Sequence, residues 1–191
     1  MSGDVRARMI EGAAELLARH GVQATSFGEV LKATGAPRGS IYHHFPRGKT
    51  QLIEEALDLL GARAFDPIEE HAGATAEEIT REYLAMWRSF VGGFTVQGGC
   101  AILAVTVTAD SAQLVDHAAA VFRTWRTRLA ALLEEGGLDH EDAVGFSATL
   151  IAAIEGAVVF ARAERSMDPF DLISRQMLDQ VGRLSRDRRT I

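Results

Sequence analysis

Thr25-Ser26-Phe27-Gly28-Glu29-Val30-Leu31-Lys32-Ala33-Thr34-Gly35-Ala36-Pro37-Arg38-Gly39-Ser40-Ile41-Tyr42-His43-His44-Phe45 decides the fold. Ser26 and Glu29 stand at capping-box spacing, so a helix begins there. Phe27, Val30, Leu31 and Thr34 follow at helical spacing. Gly35 can take the positive φ that ends this helix. Pro37 suits the opening of the next one, where no backbone N–H is required. Ile41 and Phe45 lie four apart and share an inward face. Arg38 and Tyr42 share the opposite face, with Ser40, His43 and His44 around it. That face is cationic, aromatic and hydrogen-bonding, which suits phosphates and base edges. The expected order is a helix over 26–34, a turn over 35–37 and a helix over 38–44, which is helix-turn-helix anatomy. The second helix is too short to be stable alone and must be held by neighbours.

Working outward, Val5, Met9, Ala13, Leu16 and Leu17 form the apolar face of a helix over 4–20, stopped by Gly21. Arg6 on this helix is placed to reach a phosphate. Pro46-Arg47-Gly48 is a turn, and Lys49 opens a helix whose inner stripe is Leu52, Ile53, Ala56, Leu57 and Leu60, expected to continue towards Pro67. Positive charge is disfavoured at a helix N-terminus, so Lys49 there points to a phosphate partner. Further apolar periodicities predict helices over 75–91, 100–108, 111–135, 140–165 and 169–186. Glycine pairs (Gly92-Gly93, Gly98-Gly99, Gly136-Gly137) punctuate them. The fold class expected is therefore all-α.

The chain has 191 residues, of which 47% are apolar, enough to build a core and to argue against disorder. The net charge of −6 argues at first against nucleic acid, but its distribution does not. Residues 1–50 carry seven Lys/Arg against four Asp/Glu, a net of +3, and the remainder carries thirteen against twenty-two, a net of −9. A basic N-terminal part on an acidic body is the asymmetry of a DNA reader joined to a regulatory body. Cys100 is the only cysteine, which excludes an internal disulfide. The first residues lack the charged-then-apolar pattern of a secretion signal, so a cytoplasmic location is expected. Ala143–Ala161 is apolar apart from Glu155, but Gly145, Ser147, Thr149 and Gly156 dilute it. It reads as a central bundle helix and no membrane partner is expected.

Thr25-Ser26-Phe27, Thr34 to Phe45, Gly48-Lys49 and Leu52 together resemble the DNA-binding domain of the tetracycline-repressor (TetR) family over roughly residues 5–60. Pro37, Pro46-Arg47-Gly48-Lys49 and the Gly99-Cys100 turn are similar to the subgroup of lincomycin-resistance repressors. The resemblance implies a three-helix DNA-binding domain over 1–48 and a helical ligand-binding and dimerisation domain over 49–191. It implies DNA contacts from Thr25, Ser26, Arg38, Gly39, Ser40, Tyr42, His43, His44 and Lys49. Tyr42 and Lys49 correspond to phosphate contacts, and Arg38, Ser40 and His43 to the residues nearest base edges. Gly39 lets the helix approach the backbone closely.

The resemblance also implies an effector pocket in the body. Its candidate residues are Met86, Trp87, Phe90, Phe94, Cys100, Leu103, Val107, Phe122, Trp125 and Phe146, bulky side chains from several helices. Such a pocket would take a small hydrophobic effector. The last two helices imply a homodimer. Ala148, Ala152 and Gly156 recur at four and form a smooth strip; Ile151, Glu155, Val159, Ile173, Met177 and Val181 complete the candidate interface. A two-fold dimer requires a palindromic double-stranded operator. The function implied is a transcriptional repressor released from DNA by its effector.

Two other readings of the residues stand beside this one. One is a DNA-binding regulator that takes no ligand or answers to oxidation of Cys100. The other is an α-helical enzyme with an apolar pocket, against which stands the lack of paired carboxylates, of a nucleophile–base group or of a metal motif. No catalytic residue, metal or cofactor is assigned. Gly48-Lys49-Thr50 ends like a phosphate-binding loop, but His43 occupies the first glycine position and no strand precedes it. His43 and His44 are adjacent on a helix and point apart, which does not suit one metal ion.

Overall fold

The computed structural model describes residues 2–93 and 99–187. Among the described residues all regular structure is helical, as the periodicities predict. The elements are α1 (Ser2–Ala24), α2 (Phe27–Thr34), a 3₁₀ turn (Arg38–Ser40), α3 (Ile41–His44), α4 (Lys49–Arg63), α5 (Asp66–Glu69), α6 (Ala76–Gly93), α7 (Ala101–Thr108), α8 (Ala112–Glu135), α9 (His140–Glu164) and α10 (Asp168–Asp187). They group into two compact units.

The first unit holds the described residues up to Arg63 with those from Gly99 to Phe122. Here α1 packs against α2, α4 and α7. Met9, Ala13 and Leu17 of α1 are buried, as are Val30, Ile41, Phe45, Leu52, Ile53 and Leu57. At Gly12 the Thr34 side chain packs so closely on α1 that an added Cβ would lie 2.4 Å from Thr34 Cγ2. Thr34 cannot simply swing away, because its hydroxyl donates to the Val30 carbonyl at 2.7 Å. Gly21 interrupts α1 with φ 74°, and the chain then resumes helical turns to Ala24 instead of stopping, as its sequence suggests.

The second unit holds residues 64–93 with residues 123–187. In it α10 packs along both α9 and α6. One sequence expectation is corrected here. The helix opened by Lys49 does not continue to Pro67: α4 ends at Arg63, and Pro67 opens the separate short helix α5. The reason is Phe65, which is fully buried and turns the chain inward between the two. Gly92-Gly93 forms the last turn of α6, which ends at Gly93, two residues past the expected limit. Gly136 admits no side chain, because an added Cβ would lie 2.6 Å from the Ala76 backbone nitrogen. That nitrogen donates to the Gly136 carbonyl at 2.9 Å, so the end of α8 and the start of α6 are tied backbone to backbone.

Side-chain pairs fasten the helices at their outer edges. Arg88 of α6 grips Asp171 of α10 with two hydrogen bonds, Nε–Oδ1 at 2.9 Å and NH2–Oδ2 at 3.1 Å. The Arg88 hydrogen bond is the largest of the effects that hold the Asp171 carboxyl below its ordinary range. α9 is long and apolar enough to cross a membrane, and half of its most apolar window is buried within the chain.

Two outcomes follow from these contacts. Gly12→Ala should cost about 1–3 kcal/mol in chemical denaturation, because a packed contact is overfilled. Adding Thr34→Ser should recover most of that loss, since it removes the clashing methyl and keeps the hydroxyl. For Asp171 the folded value is depressed, so its contribution is present above the ordinary carboxylate range and is lost as pH falls through the folded value. Asp171→Asn should therefore lower the melting temperature at neutral pH and leave it unchanged in strong acid.

Candidate nucleic-acid interface

The stretch from Thr25 to Phe45 folds as its sequence directs. The Ser26 hydroxyl accepts from Glu29 N at 3.2 Å and caps α2. Gly35 ends α2 with φ 65°. Pro37 then accepts at its carbonyl from Ser40 N at 3.0 Å and from Ser40 Oγ at 2.6 Å, which closes the 3₁₀ turn. The expected helix over 38–44 is thus a 3₁₀ turn followed by the four residues of α3. It is anchored by Ile41, 8% exposed, and Phe45, fully buried. The Phe45 ring lies 6.3 Å from that of Phe27, and the Arg6 guanidinium stands 5.7 Å from it on its face.

The outer face carries Arg38, Gly39, Tyr42 and His43, all exposed, with Tyr42 at 77%. Among the described residues, none of the Arg38, Tyr42 and His43 side chains makes a hydrogen bond or ion pair, and His43 only stacks edge-on to His44 at 5.0 Å. A Cβ added at Gly39 would meet nothing, and its backbone is not left-handed, so the chain's own packing does not require glycine there. Ser26 is exposed, and Ser40 and His44 are half-buried beside them.

Three side chains have other partners than the sequence suggests. Thr25 is 1% exposed and its hydroxyl donates to the Gly21 carbonyl at 2.9 Å. It holds the start of α2 against the bend of α1 and has no place on the outer face, which corrects its assignment as a DNA contact. Arg6 pairs with Glu55 at 2.6 Å, so it is committed within the fold. Lys49 Nζ donates to the Val22 carbonyl at 3.0 Å. An ammonium has three N–H donors, so two remain for a phosphate.

Behind the outer face lies a polar ladder that sequence reasoning missed. Glu54 of α4 is 6% exposed. Its carboxylate receives Arg47 NH2 at 3.1 Å, from the turn after α3, and Gln113 Nε2 at 2.6 Å, from the first turn of α8. One turn further on, Asp58 of α4 meets His117 Nε2 of α8 at 2.7 Å. Both rungs are spaced by four, which is why they share one face of each helix. The signal was available: Glu54 lies on the buried face with Leu57 and Gly61.

The candidate pocket residues divide between the units. In the first, Cys100 is buried, Leu103 and Phe122 are half-buried, and Val107 is 70% exposed. Val107 is therefore not a cavity residue; α7 is apolar on all sides and only part of it is covered. In the second unit Trp87, Trp125 and Phe146 are buried, Met86 is half-buried and Phe90 is 37% exposed. Phe94 lies outside the described residues. The candidate dimer residues also divide. Ala152 and Val159 are exposed, and Ala148, Gly156 and Ile173 half-buried, but Ile151, Glu155, Met177 and Val181 are buried within the chain. These four belong to the chain's own packing. The exposed apolar residues that complete the strip are Val144, Phe160 and Leu172. The four-residue register of Val144 and Phe160 with Ala148 and Ala152 on α9 was readable; which face of so apolar a helix is covered was not.

Comparison with known proteins now settles what this arrangement belongs to. Residues 9–56 match the model of bacterial regulatory proteins of the tetR family, and residues 76–176 match that of the LmrA/YxaF-like transcriptional regulator C-terminal domain. The chain is a member of the TetR family. It is a DNA-binding transcriptional regulator, and members of this family bind DNA operators and act as dimers. The uncharacterized HTH-type transcriptional regulator Rv0196 of Mycobacterium tuberculosis is 35% identical over 179 residues, covering 90% of this chain and 91% of that protein. The HTH-type transcriptional regulator LmrA of Bacillus subtilis is 25% identical, covering 95% and 98%. A TetR transcriptional regulator from Chloroflexus aurantiacus superposes with a TM-score of 0.78 at 25% identity, covering 95% of this chain and 96% of that one.

The ladder gives a test of its own. Glu54→Ala leaves Arg47 and Gln113 without their shared acceptor, and should cost about 1–3 kcal/mol of stability measured by denaturation. DNA affinity should fall as well, since the turn after α3 loses its tether.

Proposed function

We propose that this TetR-family regulator is a homodimeric repressor that binds a palindromic operator through Ser26, Arg38, Gly39, Ser40, Tyr42, His43, His44 and Lys49 and leaves it on binding a small hydrophobic effector in the cytoplasm. The observation that carries the reading is the outer face of α3 and its 3₁₀ turn: Arg38, Tyr42 and His43 are exposed and make no polar contact with their own chain among the described residues. Side chains held out by so short an element, with no structural work of their own, are supported as contacts to an external partner. The spare N–H donors of Lys49 and the open approach at Gly39 support phosphate contacts beside them.

The dimer reading is supported by Val144, Ala152, Val159 and Phe160 of α9, which leave an apolar strip uncovered by the chain, and by open space at Gly156. The reading divides the chain functionally at Gly48, with a DNA-binding part over 1–48, to which Lys49 adds a phosphate contact, and effector binding and dimerisation over 49–191. Effector binding then shifts the population between body conformations with different spacing of the two DNA-reading helices.

The test is anisotropy of a labelled fragment from upstream of the protein's own coding region, titrated at two salt concentrations. The wild type should bind as two chains per site and far more tightly than to random DNA. Tyr42→Ala should weaken both DNAs together, while Arg38→Ala should also change sequence preference. Unaltered binding by both variants would remove this face from the interface.

A further inference from the structure

The second unit contains a closed circuit of aromatic rings. Phe65 faces Tyr83 at 6.3 Å, Tyr83 faces Trp87 at 6.4 Å, Trp87 faces Trp125 at 6.4 Å, and Trp125 returns to Phe65 at 5.9 Å. Phe90 stands edge-on to Trp87 at 5.8 Å and is 37% exposed, so the circuit reaches the surface at that ring. Trp87 is only 5% exposed. Its indole Nε1 is buried and, among the described residues, has no hydrogen-bond partner.

An indole N–H is a donor with no acceptor capacity, and buried donors are almost always paired. The surrounding rings offer at best a weak N–H···π contact. A buried water needs two to four polar partners, and of the surrounding rings only Tyr83 carries an acceptor, the Trp125 indole being a second donor. An unmade bond at this depth is tolerated where another molecule completes it.

We propose that the Trp87 N–H is the recognition donor for the effector, which is accordingly an aromatic molecule bearing a carbonyl or similar oxygen acceptor and not a plain hydrocarbon. This deepens the effector reading above and rests on it. The ring body of the effector lies against the aromatic circuit, its oxygen accepts from Trp87 Nε1, and Phe90 is the side from which it enters. A hydrocarbon of the same shape buries the same surface but leaves the donor unmade. A cationic amine, which carries donors and no acceptor, is disfavoured for the same reason.

Benzophenone and diphenylmethane share a carbon skeleton and differ at the carbonyl, so they separate acceptor recognition from apolar burial. Calorimetry on the full chain should show benzophenone binding about ten- to hundredfold more tightly than diphenylmethane. In Trp87→Phe, which keeps a ring but lacks the donor, that preference should vanish. With ¹⁵N-labelled tryptophan, the indole resonance missing from Trp87→Phe should move downfield on adding benzophenone and stay in place with diphenylmethane. Should Trp87→Phe fail to fold, the affinity ratio in the wild type alone still decides. Equal affinity for the two compounds overturns the donor assignment and leaves an apolar effector site standing. Binding of neither overturns the proposal, and the effector reading itself then rests on whether any other compound releases DNA.

Discussion

A four-residue helix has no stability of its own, and the surface proposed to read DNA is built on one. Everything in the first unit answers that constraint. Ile41 and Phe45 sink into the core laid down by α1 and α4, and the 3₁₀ turn before them is closed by Ser40 on the Pro37 carbonyl. α1 in turn comes close enough to α2 only because position 12 lacks a side chain. The burial of two residues thus fixes the direction of every side chain on the opposite face.

The second support is electrostatic. Glu54 is a carboxylate removed from water, and a charge in that position is costly unless its partners are good. Here it has an arginine from the turn after α3 and an amide from α8, and Asp58 with His117 repeats the link one turn on. A change in the tilt of α8 therefore cannot leave the turn at Arg47 unmoved without breaking a buried hydrogen bond. Ligand-responsive regulation is the norm in the family, and in the function proposed for this chain the ladder would carry a movement of α8 to the turn after α3.

The parts of this structure that were legible in the sequence are those fixed by local chemistry. Ser26, Gly35 and Pro37 act on their immediate neighbours, so the limits of α2 and the following turn could be read directly. Gly136-Gly137 likewise marks the end of α8. What depends on distant contacts was not legible. The break between α4 and α5 has no glycine or proline at 64 or 65; it comes from Phe65 entering a core assembled from α6 and α8. On α9 nearly every position is apolar, so the pattern that should separate covered from uncovered faces is absent, and Ile151 could not be told from Val159. Thr25 looked polar and available, yet its hydroxyl serves the bend at Gly21.

The idle side chains of the outer face carry an evolutionary consequence. Since Arg38, Tyr42 and His43 bond to nothing in their own chain among the described residues, exchanging them costs folding little. Surface positions of that kind usually change stability by only a few tenths of a kcal/mol. In the proposed reading, binding preference can therefore drift or be selected at Arg38 and His43, and overall affinity at Tyr42, while the scaffold stays under its own, separate constraint. Ile41, Phe45 and Gly12 have no such freedom, so a library aimed at new operators belongs at the first set and should leave the second untouched.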